Sequence, residues 1–128
     1  MPENYNYTAE MPEISIENNG IIKIDFGTIL ITPNHIIHSV EIHRKLAPNK
    51  KSPVLMIGEA ALNLSGEISK VGAREETVNI TSALALVTKS KIAKVLGNIF
   101  INLHQNPYPT KLFENENDAR AWLKNYRA

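Results

Sequence analysis

The chain has 128 residues, enough for one domain, and its hydrophobic content of 43% and charged content of 21% are ordinary for a globular protein. The chain has 14 basic and 13 acidic residues, and its net charge of +1 gives no electrostatic case for binding nucleic acid or an anionic membrane. The absence of cysteine excludes disulfides, thiol catalysis and cysteine-ligated metals. We find no signal-peptide pattern and no run near the roughly 20 apolar residues of a membrane span, and expect a soluble, cytoplasmic protein.

A β-hairpin is predicted after a polar, aperiodic stretch at residues 1–12, which we expect to be a flexible leader to a single domain over 13–128. In EISIENNGIIKIDF the apolar residues alternate on both sides of Asn18-Asn19-Gly20. A three-residue loop at these positions pairs Ile14 with Ile24 and Ile16 with Ile22. A two-residue turn would mix the apolar and polar faces. Gly20 supplies the left-handed residue that the longer loop needs.

A helix is predicted from Pro33, with Thr32 as its N-cap and Pro48 just beyond its end. Its apolar side carries Ile36, Ile37, Val40 and Ala47, and its opposite side carries Asn34, His38, Glu41 and Lys45. Lys50 and Lys51 follow in NKKS, a cluster that is typical of a solvated loop.

The histidines of this helix raise the question of a metal site. His35, His38 and Glu41 could form a two-histidine, one-carboxylate patch. The His-x-x-x-His spacing of a catalytic helix is absent, however, and no further ligands converge, so we interpret these residues as a solvated face and predict no metal. His43 lies in the apolar arc and is expected to be partly buried with a hydrogen-bond partner.

The second half alternates between strand and helix patterns. Short apolar runs at 53–57 and 83–87 predict buried strands, and Ile68 and Val71 suggest a short helix between them. Apolar residues at helical spacing, from Ile92 to Leu103, predict a helix over 91–105, and TKLF at 110–113 predicts a last strand. A final helix follows, with Asn115 as its N-cap and a buried stripe of Ala119, Trp122, Leu123 and Tyr126. The order predicts an α/β fold with a mixed, mostly parallel sheet of four to five strands.

The segment AREETVNITSALALVTKSKIAKVLGNIFINLHQNPYPTKLFENENDARAWLK, residues 73–124, resembles small uncharacterised bacterial proteins of the STAS/SEC14-like group. The likeness is carried by the Ala-Arg-Glu run, by ALALVTKS leading into KIAKVLGNIF, by PYPTKLF and by the acidic A-x-A-W-L helix. Over residues 13–127 the order of elements also looks like the STAS fold of bacterial anti-sigma-factor antagonists, shared in outline with the lipid-carrying SEC14 domain. These are packing motifs, so they identify a fold better than an activity.

The STAS resemblance implies one regulatory residue. STAS antagonists carry a phosphorylatable serine after the central strand, often within Asp-Ser-Ser-Gly, and LNLSGEIS places Ser65 and Gly66 there as the matching pair. Asn63 and Leu64 stand where that family has an acidic residue and a first serine. The alternative is that Ser65 caps a short helix.

Two further surfaces are candidates for binding. VTKSKIAK runs from the carboxyl end of a buried strand into a helix, where open α/β sheets bind anions. The candidate anion-binding residues are Thr88, Lys89, Ser90 and Lys91. No glycine-rich loop precedes that helix, and Ser90 as a plain helix cap explains the same sequence. Lys94, Asn98 and Ile101 are candidates for a partner surface or dimer interface, although a single exposed isoleucine is common.

No catalytic residue and no cofactor are predicted, because the chain has no Gly-x-Ser-x-Gly elbow and no serine spaced with a histidine and an acid. The leading hypothesis is a non-catalytic STAS-like module that binds another protein or itself through residues 58–80 and 91–105. The alternative is a carrier of an apolar or anionic-headed ligand, with segments 62–78 and 91–105 as cavity walls and Lys89 or Lys91 at the polar end. A cavity costs about 24 cal/mol per Å³ of void, which favours protein binding in so small a chain.

Overall fold

The computed structural model describes residues 11–29, 31–58, 74–89, 91 and 107–126, in which strands and helices alternate along the chain. The strands are β1 (Glu13–Ile16), β2 (Ile22–Gly27), β3 (Ser52–Gly58), β4 (Thr81–Val87) and β5 (Thr110–Phe113). The helices are α1 (Pro33–Leu46), α2 (Glu75–Val78) and α3 (Glu116–Leu123), and a 3-10 turn (Lys124–Tyr126) follows α3. None of the helices in these ranges has the length and apolar character needed to cross a bilayer.

The five strands form one mixed sheet in the order β1-β2-β3-β4-β5. β1 is antiparallel to β2, and the other neighbouring pairs are parallel. The predicted α/β fold with a mostly parallel sheet and an N-terminal hairpin is therefore confirmed. The predicted helices near residue 68 and over 91–105 lie outside the described residues, apart from the helical Lys91.

The hairpin has the register that the apolar pattern predicts, with Ile14 opposite Ile24 and Ile16 opposite Ile22. The loop is closed by the Glu17 amide, which donates to the Ile21 carbonyl at 2.8 Å, and by the Gly20 amide, which donates to the Glu17 carbonyl at 2.9 Å. Gly20 has a φ of +89°, the left-handed conformation expected of the third loop residue. The predicted three-residue loop is confirmed.

Helix α1 begins as predicted, with Thr32 as N-cap and Pro33 in the first turn. His35, at the third helical position, turns inward and accepts a hydrogen bond at Nδ1 from the Thr32 amide at 3.0 Å. Its ring is fully buried and stands edge-on to Phe26, with 6.2 Å between ring centroids. The interpretation of His35 as part of a solvated face was therefore wrong. In the first turn, the capping hydrogen bond to the Thr32 amide directs the His35 side chain inward, although helical periodicity alone places it on the solvated side.

Both faces of the sheet are buried. On one face α1 covers a cluster that includes Ile22, Phe26 and Val54. On the other face α3 places Ala119 and Leu123 against a cluster formed by Ile21, Leu55, Ala83, Ala85 and Val87. Successive strand residues point to opposite faces, so the apolar runs at 53–57 and 83–87 supply both layers. The prediction of buried strands is confirmed.

The C-terminal elements also follow the sequence. β5 covers the predicted TKLF, and the Asn115 side chain caps α3 by accepting a hydrogen bond from the Asp118 amide at 2.8 Å. The ring of Trp122 lies 5.6 Å from that of Phe113 and 4.9 Å from that of Tyr126. The predicted stripe is confirmed, since Ala119 and Leu123 are fully buried and Trp122 and Tyr126 pack against the same cluster.

An ion pair joins the hairpin loop to α3. Arg120 donates from Nε and Nη2 to the two carboxylate oxygens of Glu17, at 3.0 and 2.8 Å, and Nη2 also lies 3.0 Å from Glu116. This hydrogen bond lowers the pKa of Glu17 below its ordinary value. Two parallel hydrogen bonds between the opposite charges also fix the position of the loop relative to the helix.

We expect Gly20→Ala to lower the free energy of unfolding by about 1–2 kcal/mol, because a left-handed backbone is unfavourable for an L-residue. A Cβ at this position would meet no atom within 4 Å, so the effect isolates backbone strain. Urea unfolding measures it. Gly58→Ala is the matched control, since its Cβ would make only ordinary contacts of 3.6 and 3.8 Å. Equal effects of the two substitutions would contradict the assignment.

A double-mutant cycle on Glu17→Ala and Arg120→Ala should give a coupling free energy of about 1 kcal/mol at pH 7, a modest value because both side chains are about one-quarter exposed. Lowering the pH well below 4.5 should remove this coupling, because protonation of Glu17 abolishes the charge that Arg120 binds. Chemical denaturation at several pH values provides the measurement. Lys124→Ala, an exposed change just beyond the same helix, should leave stability within about 0.5 kcal/mol.

Candidate functional site

A concave surface lies at the amino edge of the parallel strands, where α1 ends and β3 and β4 begin. It has a volume of about 840 Å³. We call it the basic groove, and its lining is Glu41, Arg44 and Lys45 from α1, residues 48–51, and Asn79 and Ile80 from the link between α2 and β4.

Local structure brings these segments together. β2 and β3 are parallel, so α1 must return across the sheet and its last turn reaches the amino edge. The chain then reverses through Asn49, which has a φ of +62°. The Ser52 amide donates to the Ile80 carbonyl at 2.9 Å, which fixes the 48–51 loop beside the start of β4. Thr81 Oγ1 donates to the carbonyl of Thr77 at 2.7 Å and holds α2 against the same edge.

The charge of the groove is strongly positive. Arg44, Lys45, Lys50 and Lys51 are all exposed, and Glu41 is the single acidic residue of the described lining, so four positive charges and one negative leave +3. Within the described ranges, none of the four basic side chains has an ion-pair partner. The whole chain has a net charge of only +1, so positive charge is concentrated in this groove and the rest of the sequence is net negative.

The charge changes sign beside the groove. A depression of about 360 Å³ shares Arg44, Asn79 and Ile80 with the groove and adds Glu75 and Glu76 of α2. These two glutamates are exposed, and no ion pair is formed by either in the part of the chain that the structure describes. The amino edge therefore presents a basic surface that continues into an acidic one.

The chemistry that this lining supports is ionic binding. It contains no histidine, serine, threonine or cysteine, and its ionisable side chains are one carboxylate, three ammonium groups and one guanidinium. Elsewhere in the described ranges, no group of three or more His, Asp or Glu side chains could hold a metal ion. The geometry offers charged groups for recognition.

Three buried side-chain atoms have no hydrogen-bond partner in the described structure, and they are His43 Nε2, Ser52 Oγ and Ser82 Oγ. His43 is 3% exposed, more deeply buried than expected, and the expected hydrogen bond is not seen there. The register between β3 and β4 shifts at Ser52 and Pro53, beside the two serines. Burial lowers the pKa of His43 to about 4.

The anion site predicted from the sequence lies at the opposite, carboxyl edge of β4. Thr88 is buried there, and its amide donates to the Phe113 carbonyl at 3.1 Å, so that amide is committed to a protein partner. Lys89 and Lys91 are exposed, whereas Ser90 is outside the described residues. The anion site therefore stays a prediction.

The other predicted site residues lie outside the described part of the chain. They are the candidate phospho-acceptor Ser65 and the partner-surface residues Lys94, Asn98 and Ile101. Most of the two proposed contact segments, 58–80 and 91–105, and most of the predicted cavity walls of a carrier are outside it too. These assignments stay predictions.

The basic groove was missed at the sequence level. Lys50 and Lys51 were interpreted as a solvated loop and Lys45 as a solvated helix face, each from its local surroundings. A usable signal was present, because residues 44–51 contain four basic residues and no acidic one. The contribution of Asn79 and Ile80 depends on the pairing of β3 with β4 and has no local signal.

Comparisons with known proteins identify a family and a fold. A family model described as "Domain of unknown function (DUF7793)" matches residues 14–127. The chain is similar to an uncharacterized protein of the DUF3478 family with a SpoIIAA-like fold from Shewanella loihica PV-4, at 16% identity and a TM-score of 0.52, over 88% of this chain and 91% of that one. A protein of unknown function from Arthrobacter sp. FB24 matches at 23% identity and a TM-score of 0.30, over 88% and 98% of the two chains. No curated protein matches the chain. The first likeness shows the fold, and the resemblance to STAS-like proteins is confirmed at that level.

The buried His43 predicts a pH-dependent stability. The folded pKa of His43 is about 4, below the ordinary 6.5. The buried neutral ring therefore costs no unfolding free energy above pH 6.5, and the loss of stability grows as the pH falls toward 4, because only the unfolded chain takes up the proton. Over that interval wild type should lose about 3 kcal/mol more unfolding free energy than His43→Leu, as chemical denaturation would measure. Parallel losses in the two proteins would contradict this. His38→Leu, on the same helix but partly exposed, is the control and should retain the wild-type profile.

Proposed function

This chain belongs to the DUF7793 family, and we propose that it is a non-catalytic STAS-like module that acts by binding a protein partner through the basic groove. The proposal is carried by one observation: four exposed basic side chains surround a single concave surface without ion-pair partners among the described residues.

Helix stability accounts for only part of this charge. Arg44 and Lys45 lie in the last turn of α1, where positive charge complements the helix dipole. Lys50 and Lys51 come after Pro48, beyond the helix, and gain little from it. Four like charges around one concavity also repel one another, whereas a surface that serves only solubility mixes charges of both signs. A partner with complementary charge would relieve this repulsion.

The composition of the groove favours binding over catalysis. The described lining has no histidine, serine, threonine or cysteine, the side chains that most often act as catalytic bases and nucleophiles. Pro48 and Ile80 add apolar contacts and Asn79 adds an amide, as protein interfaces combine them. The SpoIIAA-like fold of the Shewanella loihica protein supports a STAS-like module by analogy.

The contact segments and the regulatory serine predicted from the sequence are kept in this proposal. We propose segments 58–80 and 91–105, with Lys94, Asn98 and Ile101, as a second contact surface, and Ser65 as a point of regulation. The carrier function depends on a cavity between segments that are mostly outside the described residues, and no observation favours it over partner binding.

The proposal is tested by comparing two variants of equal charge in partner capture. The groove variant replaces Lys45, Lys50 and Lys51 with Gln. The control variant replaces Lys89, Lys111 and Lys124, three lysines outside the groove that are also exposed, with Gln. Tagged wild type and both variants are cross-linked in the native host, and captured proteins are quantified by mass spectrometry.

We expect the groove variant to lose about tenfold of a partner that wild type and control both retain, since three surface ion pairs at roughly 0.5 kcal/mol each amount to that ratio. The loss should shrink as salt is raised, because exposed charges are screened. Retention of every partner by the groove variant would overturn the proposal. Selective loss in the control variant would place the contact outside the groove and also overturn the proposal.

A further inference from the structure

We infer that the basic groove binds an acidic peptide segment whose basic flank lies against Glu75 and Glu76 of α2. This inference rests on the proposed function and names the chemistry of the partner. It follows from the reversal of charge along the amino edge of the sheet.

The basic half of the surface fits a run of carboxylates. Arg44 can bind a carboxylate through two parallel hydrogen bonds, and Lys45, Lys50 and Lys51 add mobile point charges around it. A volume of about 840 Å³ lies at the upper end of the range for ligand pockets, so the groove has room for several side chains rather than one small ion.

The acidic half fixes the direction of the segment. Arg44, Asn79 and Ile80 line both the groove and the depression that contains Glu75 and Glu76, so a bound chain leaving the groove past Arg44 meets these two glutamates. Both are exposed and without ion-pair partners in the described ranges. A peptide with acidic residues followed by basic ones satisfies the two halves together.

Other anionic partners satisfy only the basic half. A nucleic acid is negative at every phosphate, so the same strand would neutralise the lysines and then be repelled by Glu75 and Glu76. An anionic bilayer presents a broad surface, and the groove is concave. A peptide can change the sign of its charge within a few residues, as this surface does.

The test measures fluorescence anisotropy with three labelled probes. The first is a dipolar peptide with an acidic run followed by two lysines, the second is the same peptide with both lysines replaced by serine, and the third is single-stranded oligothymidylate. Each is titrated with wild type and with two double variants, K50Q/K51Q and E75Q/E76Q. All substituted side chains are exposed, so folding should be unaffected, and circular dichroism verifies this.

We expect the two double variants to affect the two peptides differently. Wild type binds the dipolar peptide tightest, K50Q/K51Q weakens both peptides by about fivefold, and E75Q/E76Q weakens the dipolar peptide by about threefold while tightening the serine-substituted one. An unchanged preference in E75Q/E76Q would overturn the assigned direction. Tighter binding of oligothymidylate than of either peptide would overturn the partner class.

The outcome can be separated from that of the proposed function. If neither peptide binds but the groove variant still loses its native partner, the acidic-peptide inference is wrong and the protein-binding function stands. If the native partner is also retained, both are wrong. A wild-type dimer that dissociates in K50Q/K51Q, measured by sedimentation, would place a second copy of the chain in the groove and overturn the inference.

Discussion

The strands β3 and β4 have to be covered on both faces, because their side chains are apolar in both directions. Val54 and Leu84 point toward α1, whereas Leu55 and Ala85 point toward α3. A parallel pair of strands with two apolar faces cannot leave either face in water, and α1 and α3 pack on opposite faces of the sheet. The direction of α1, and with it the position of its charged last turn, follows from this requirement.

The same geometry separates the two edges of the sheet. At the carboxyl edge, the Thr88 amide of the predicted anion site already donates its hydrogen bond to the Phe113 carbonyl. At the amino edge, the end of α1, the 48–51 loop and the start of β4 leave a concavity whose charges are not neutralised by described neighbours. Ligand sites of open α/β sheets are usually sought at the carboxyl edge. Here four exposed basic side chains of the described residues converge at the opposite, amino edge.

Local physics explains which features could be predicted from the sequence. The hairpin register depends on alternation and on one glycine, and the starts of α1 and α3 depend on caps within three residues, so all three were available to inspection. His35 was misjudged because its cap hydrogen bond competes with the helical period. The ion pair of Arg120 with Glu17 and the convergence that forms the basic groove are non-local, since they require the sheet order before any distance can be known. Sequence periodicity carries no information on such pairs.

The ion pair between Glu17 and Arg120 also bears on how the chain is made. Its two residues are 103 positions apart, so a ribosome releases the hairpin long before the helix that holds its loop. During that interval β1 and β2 have no α3 to cover Ile21, which is fully buried in the finished fold. Completion of this face must therefore wait for the last elements to emerge. A hairpin with a strongly specified loop suits a segment that is synthesised first and covered last.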